Sequence, residues 1–383
     1  MAPSNRMIAI LITALLCIPC FAQSPDEDTK KPDKPKTEAE KAFQEKVVLW
    51  RQATQDFWEV INRFHTARGD IKFSEQENWA EHESAVRHAM SDALQAAVPV
   101  LNEQPEHAEV RPFVARSVLT RAEFDWFEVT TEAAIALLNA GVEDPELNAI
   151  AAVAAVATGQ FEIAEEQLTK ISPTSEEGLS KVARQMAMSF DKLRAAWEAE
   201  LEKRKQEAEK NDLPRVVLST TRGDVVVELF EDDAPNTVAS FISLVEKGFY
   251  DYVPFYQVVK HEFAQTGDRE GDGSGKADYR IRDENSSGRG IFRGSLVMAK
   301  IPNPAAAQSL DAPSTIPDTA SSQFIIALLP FSPDYKELTT FGRVIEGIDV
   351  ISTLNRVTVE KDENAMPMLP DTIIKAEVIR KRD

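Results

Sequence analysis

At 383 residues the chain is longer than one ordinary core requires, and its length implies two domains with linker between them. Its 63 acidic against 43 basic residues give a formal charge of -20, which excludes broad affinity for nucleic acid because phosphate binding needs concentrated positive charge. Both cysteines, Cys17 and Cys20, fall in the first 22 residues; a chain trimmed after them has no disulfide framework, cysteine nucleophile or thiolate metal site.

The first 22 residues have the layout of an export signal. Arg6 precedes an apolar run from Met7 to Ile18, and the small-residue finish CFA comes before Gln23. The run is too short to span a bilayer. Leu16 and Pro19 stand before the cysteines where a lipoprotein signal needs a small residue. Cleavage is expected after Ala22, giving a secreted or periplasmic protein with no stable membrane insertion.

Residues 23–41 are charged, proline-containing and poor in anything to bury, and read as a flexible linker. Residues 42–190 carry a helical period broken at ARGD (67–70), NEQPEHAE (102–109), GVEDPE (141–146) and SPTSEEG (172–178). The triplet FEV at 127–129 recurs as FEI at 161–163, a period of 34 residues, with Ala115 matching Ala149 and Val118 matching Ala152. That period suits paired-helix repeats of tetratricopeptide type; the full repeat signature is absent, so an unrelated small bundle stays equally open. All five tryptophans precede residue 200 and all five tyrosines follow it, which supports two folding units. Residues 191–213 form a charged linker helix, with Glu and Lys/Arg three or four apart. It reads as a spacer, with a face for a protein partner as the alternative.

After Pro214 the period changes to two. RVVLST, TRGD and VVVELF read as a hairpin, and DDAPNTVASFISLVEKG as an amphipathic helix with Pro235 in its first turn and Gly248 beyond its end. Short apolar strands and glycine-rich connections then alternate to IIKAEVIRK, arguing for a compact antiparallel barrel.

Within this half, FYQVVKHEFAQTGDREGDGSG (255–275), GDVVVELFEDDAPNTVASFISLVEKGFYD upstream, and FRGSLVMAK (292–300), ASSQFIIALLP (320–330) and FGRVIEGIDVI (341–351) downstream follow one another in the order of a known family. The region resembles the cyclophilin-type peptidyl-prolyl isomerases, and the resemblance covers roughly 160 residues, within 214–383. It implies a closed eight-stranded β barrel with capping helices, joined to the N-terminal all-α domain, and an outer groove that accepts an Xaa-Pro segment. It further implies Phe263 facing the proline, Gln265 as the family's glutamine, Ala299 as a backbone contact, and Phe324 and Phe341 as pocket rings. Several positions depart from the pattern. Gln257 replaces the catalytic arginine and Tyr256 the histidine before it. Glu262 and Leu338 stand at pocket positions, Lys300 replaces an asparagine, and Pro333 stands where a tryptophan is usual.

Prolyl isomerisation breaks no covalent bond. It needs a grip on the proline ring, groups that hold the flanking backbone, and a donor that favours the twisted amide. Neither metal nor cofactor is implied. Gln257 and Gln265 are thus the candidate catalytic residues, and Tyr256, Phe263, Ala299, Lys300, Phe324 and Phe341 the candidate substrate contacts. Phe324 and Phe341 read equally as core. Gln257 can donate a hydrogen bond, though without the charge and reach of a guanidinium.

The five histidines form no compact metal pattern. REGDGSG (269–275) lacks the spacing of a calcium loop, and NPAAAQSLDAPSTIPDTASSQ (303–323) reads as an exposed excursion. The expected function is isomerisation of Xaa-Pro bonds in exported proteins. The alternatives are an impaired cyclophilin-like peptide-binding or chaperone module, and a helical protein-interaction protein with an accessory barrel. Proline-containing polypeptides are the expected partners, with a protein partner for the helical domain and no nucleic acid.

Overall fold

The computed structural model describes residues 36–66, 70–144, 146–171, 178–286, 288–307, 313–358 and 369–382. The export signal, the tether up to residue 35 and the middle of the 303–323 excursion lie outside them. The chain divides into two compact units, Met1–Ala154 with Glu166–Ser175, and Ala155–Glu165 with Glu176–Asp383.

The first unit is helical. Helices α1 (Glu38–Thr66) and α2 (Asp70–Glu103) pack along each other, followed by α3 (Val110–Glu123) and α4 (Thr130–Asn139). A capping box starts α1: the Glu40 carboxylate accepts the Thr37 N–H at 2.6 Å, and the Glu40 N–H reaches the Thr37 hydroxyl at 3.2 Å. Aromatic rings fill the interior, Phe43 and Trp50 lying 5.4 and 5.8 Å from Phe113. Buried Arg121 ties three helices together, donating to the hydroxyls of Ser91 at 2.9 Å and Thr130 at 3.1 Å. Helices α5 (Leu147–Ala157) and α6 (Phe161–Leu168) have residues in both units.

The second unit contains α7 (Gly178–Met188), α8 (Phe190–Lys210) and a nine-stranded antiparallel sheet. Its strands are β1 (Arg215–Thr220), β2 (Gly223–Leu229), β3 (Val253–Pro254), β4 (Gln257–Val259), β5 (Phe263–Thr266), β6 (Ser295–Met298), β7 (Phe324–Ala327), β8 (Thr340–Glu346) and β9 (Thr372–Arg380), in the order β3-β9-β1-β2-β8-β6-β7-β5-β4. The expected β1–β2 hairpin is present, Thr220 facing Gly223 across a two-residue turn.

The expected closed eight-stranded barrel is not what forms. The sheet has nine strands and is open, ending at β3 and β4. The reason lies at these edges. β3 is two residues long and ends at Pro254, which has no N–H to donate. Backbone donors leading into and within β4 are also engaged elsewhere: Phe255 N–H bonds to the Asp371 carbonyl at 2.8 Å and Val258 N–H to the Val357 carbonyl at 2.7 Å. Two edges whose donors are absent or committed have no ladder left to join.

One face of the sheet packs with α9 (Pro235–Glu246) and α10 (Ile348–Thr353) into the main core, which includes Leu218, Val227, Phe241, Leu296, Phe324, Ile326 and Phe341. The N-terminus of α9 is capped from a distance: Glu284 accepts the N–H groups of Asn236 at 3.0 Å and Thr237 at 2.8 Å, and the Thr237 hydroxyl at 2.8 Å.

Helix α8 is more than a solvated spacer. The Trp197 ring meets Phe292 edge-on at 4.8 Å. The Arg289 guanidinium lies 3.6 Å from the centre of the Phe230 ring, and it is buried among Glu200 and Glu207 of α8 and Asp233. Arg343 on β8 bridges Glu207 and Glu228 at 2.7 and 2.6 Å. The helix is therefore built into the sheet's side by a desolvated charge cluster, which resists screening better than exposed pairs do.

Candidate active site

Side chains along a strand alternate between faces, and the register sorts the candidate residues. On β7, Phe324 and Ile326 point into the main core, while Ile325 and Ala327 join Ile291 and Val297 in a separate cluster against which Phe263, Phe331 and Leu338 pack. Ladder partners extend this outer face as a row: Gln257 opposite Gln265, Gln265 opposite Ile325, Ile325 opposite Val297. A second row runs from Val259 to Phe263 to Ala327. Two amide side chains thus stand beside an apolar patch.

Phe324 and Phe341 are fully buried and lie on the opposite face. They form an interlocked set with Phe241 and Tyr250, with ring centres 5.1 to 6.1 Å apart. The structure thus places them in the core rather than beside Phe263. Ile325, one residue on from Phe324, occupies the outer face instead.

The polar end of the row is organised by Gln323, which sequence reasoning did not single out. Its Nε2 donates to the carbonyls of Gly273 at 3.0 Å and Gly275 at 2.7 Å, which fixes the amide's orientation. Its Oε1 then accepts the Tyr256 hydroxyl at 2.6 Å and the Gln265 Nε2 at 3.2 Å. Its backbone carbonyl accepts the Ala299 N–H at 3.0 Å. Tyr256, Gln265 and Ala299 are consequently brought together through one residue. Burial, with Asp268 and Asp272 nearby, pushes the Tyr256 hydroxyl well above the usual tyrosine range, so it stays a neutral donor.

The glycine loop that Gln323 grips is closed by Asp268. This carboxylate is wholly buried and accepts the N–H groups of Glu270 at 2.8 Å, Asp272 at 3.2 Å and Gly273 at 2.6 Å. Gly267, at φ +91°, lies so close to the Ser322 carbonyl that any Cβ would collide with it. REGDGSG is therefore held by its own backbone donors.

Gln257 is half-buried at the start of β4, and among the described residues its side-chain amide has no hydrogen-bond partner. Lys300 is engaged elsewhere: its ammonium bonds to Asp283 at 2.6 Å and to the Glu337 carbonyl at 3.0 Å, and its side chain is inaccessible. Glu262 is exposed to solvent, which removes the cost of a carboxylate beside a proline ring. Arg269 donates to the carbonyls of Phe249 and Gly248, both at 2.9 Å. Among the described residues no helix is long and apolar enough to cross a membrane.

Comparison with known proteins gives the following. Residues 215–378 match the family described as cyclophilin type peptidyl-prolyl cis-trans isomerase/CLD. Peptidyl-prolyl cis-trans isomerase-like 1 of Neurospora crassa is 31% identical over 169 residues, covering 44% of this chain and 96% of the relative. Peptidyl-prolyl cis-trans isomerase ppi1 of Schizosaccharomyces pombe is 33% identical over 172 residues, covering 43% and 98%. Among solved structures, a cyclophilin type peptidyl-prolyl cis-trans isomerase of Cryptosporidium parvum aligns at 24% identity with a TM-score of 0.34, covering 43% of this chain and 97% of that one.

Proposed function

We propose, since this chain belongs to the cyclophilin-type peptidyl-prolyl cis-trans isomerase family through residues 215–378, that its outer groove binds Xaa-Pro segments and accelerates their cis–trans exchange. The observation that carries this is the row Gln257–Gln265–Ile325 beside Phe263. An amide donor and an ordered amide pair stand next to an apolar patch.

The barrier to be lowered is the rotation of the Xaa-Pro amide, about 18–20 kcal/mol without help. Phe263, backed by Phe331 at 6.4 Å between ring centres, offers the apolar surface for the proline ring. With the Ala299 N–H committed to Gln323, the Ala299 carbonyl is the backbone group on offer to the peptide. Twisting the amide makes its nitrogen pyramidal and frees a lone pair. A hydrogen bond from the Gln257 Nε2 to that lone pair stabilises the twisted state more than either planar one, which is what lowers the barrier. No proton changes hands and no covalent bond forms. Because Gln257 is neutral, we propose an isomerase slower than one with a cationic donor at this place.

Holding peptides without accelerating them is the second reading, favoured by the missing positive charge at residue 257 and by the engagement of Lys300 with Asp283. The substrates we propose are exported proteins; the support is the signal-like layout of residues 1–22.

The test is two-dimensional NMR exchange on a short Xaa-Pro peptide with the full chain added in catalytic amount. Exchange cross-peaks that grow with protein concentration are expected. Peptide shifts without faster exchange would replace the isomerase reading with the holding one.

A further inference from the structure

We propose that the cavity between α8 and the sheet is a subsite for an acidic side chain of the bound peptide, with Lys192 as its specificity-determining contact. This rests on the groove binding peptides, as proposed above, and adds a substrate preference to it.

The cavity is about 540 Å³, and its walls include Lys192 and Ala196 of α8 together with Ile291, Tyr335, Lys336 and Leu338. Ile291 and Leu338 also belong to the apolar cluster around Phe263, so the cavity adjoins the proposed proline site. The rings mark the route: Phe263 to Phe331 is 6.4 Å and Phe331 to Tyr335 is 6.0 Å. Two such steps correspond to three or four residues of extended peptide at about 3.3 Å per residue.

The charge in the cavity favours an anion. Lys192 and Lys336 bring two ammonium groups, and Asp334 is the one carboxylate among the lining residues. Arg289 also lines the space, but its charge is answered by Glu200, Glu207 and Asp233. Lys192 donates to Asp334 at 3.0 and 3.4 Å, with both side chains about two-thirds exposed (64% and 65%). An ion pair so exposed contributes little and exchanges readily for an incoming carboxylate. Helix α8 precedes the family-matched residues 215–378, so this wall comes from the chain's own N-terminal part. The Trp197–Phe292 contact and the Arg289 cluster hold it in place, as a specificity wall requires.

The experiment uses the full chain and a set of Xaa-Pro peptides carrying Glu, Gln or Lys two, three or four residues to either side of the proline, with affinities taken from NMR titration. At one position the Glu peptide is expected to bind about three- to fivefold more tightly than the Gln peptide, a difference that shrinks with added salt. Lys192→Gln removes that preference and Lys192→Glu turns it towards the Lys peptide. Equal affinities for Glu and Gln peptides at every position, or a preference that survives in Lys192→Gln, overturn the subsite while leaving the groove reading intact. No binding by any Xaa-Pro peptide overturns both.

Discussion

Gln257 and Gln265 face each other in register across β4 and β5, yet only Gln265 is tied to the scaffold, through Gln323 at 3.2 Å. One amide is fixed and the other is available. Replacing the available one with a cationic donor, Gln257→Arg, is expected to raise kcat/KM by about 10²-fold or more, the usual scale for one well-placed electrostatic donor. The same peptide exchange measurement reads the change. A variant no faster than the parent would show that residue 257 does not reach the amide nitrogen.

Gln323 is expected to be the most sensitive polar residue of the groove. Gln323→Ala leaves the Tyr256 hydroxyl, the Gln265 amide and the carbonyls of Gly273 and Gly275 without their partner, at a cost of about 2 kcal/mol or more. Gln323→Glu does more damage at neutral pH than in acid, because a carboxylate cannot donate to those two carbonyls. Amide hydrogen exchange over residues 267–275 distinguishes the two variants. Unchanged protection in both would show that the loop holds itself through Asp268.

Glu284 ties stability to pH. Burial alone would raise its pKa, but hydrogen bonds from Thr237 and Asn236 outweigh this and hold it below the ordinary carboxylate value. A depressed folded-state pKa stabilises the fold above the unfolded value, and that contribution is lost as pH falls through the folded one. Glu284→Gln is therefore expected to cost about 1 kcal/mol at pH 7, allowing for solvent screening at this partly exposed site. Denaturation curves of the two proteins should converge as the pH is lowered through the acid range. A gap independent of pH would assign the effect to shape rather than charge.

The Arg289 cluster makes α8 part of the sheet unit. Arg289→Leu leaves Glu200, Glu207 and Asp233 crowded without their cation, and is expected to destabilise the unit by about 3–5 kcal/mol. Hydrogen exchange of the β1 and β2 amides is the readout. A change confined to α8 would mean that the helix docks without supporting the sheet.

The sequence names candidates for the site, and it leaves their facing open where a strand is covered on both sides. The motif FYQVVKHEFAQTGD makes Tyr256, Gln257, Phe263 and Gln265 candidates, and its mixed polar and apolar residues agree with the register that pairs Gln257 with Gln265. The resemblance points to Phe324 and not to Ile325, and nothing local corrects it, because FIIA is apolar throughout and buried at all four positions. A strand covered on both faces shows no alternation, so nothing local says which residue of the pair points outward. Gln323 was missed because a glutamine between serine and phenylalanine looks unremarkable until the glycine loop folds over it.

The residues alone set what is local: the helical character of the first part, the β1–β2 hairpin, the α9 start at Pro235, and the order of motifs that marks the family. Period, caps and turn residues act over a few positions and leave a local trace. Tertiary structure alone decided the register that puts Phe324 inside and Ile325 outside, the open edges at β3 and β4, and the docking of α8 by Arg289. Each depends on pairing between segments far apart in the chain. Whether a donor finds its acceptor there is settled by what else competes for it, as the Asp371 and Val357 carbonyls do for Phe255 and Val258.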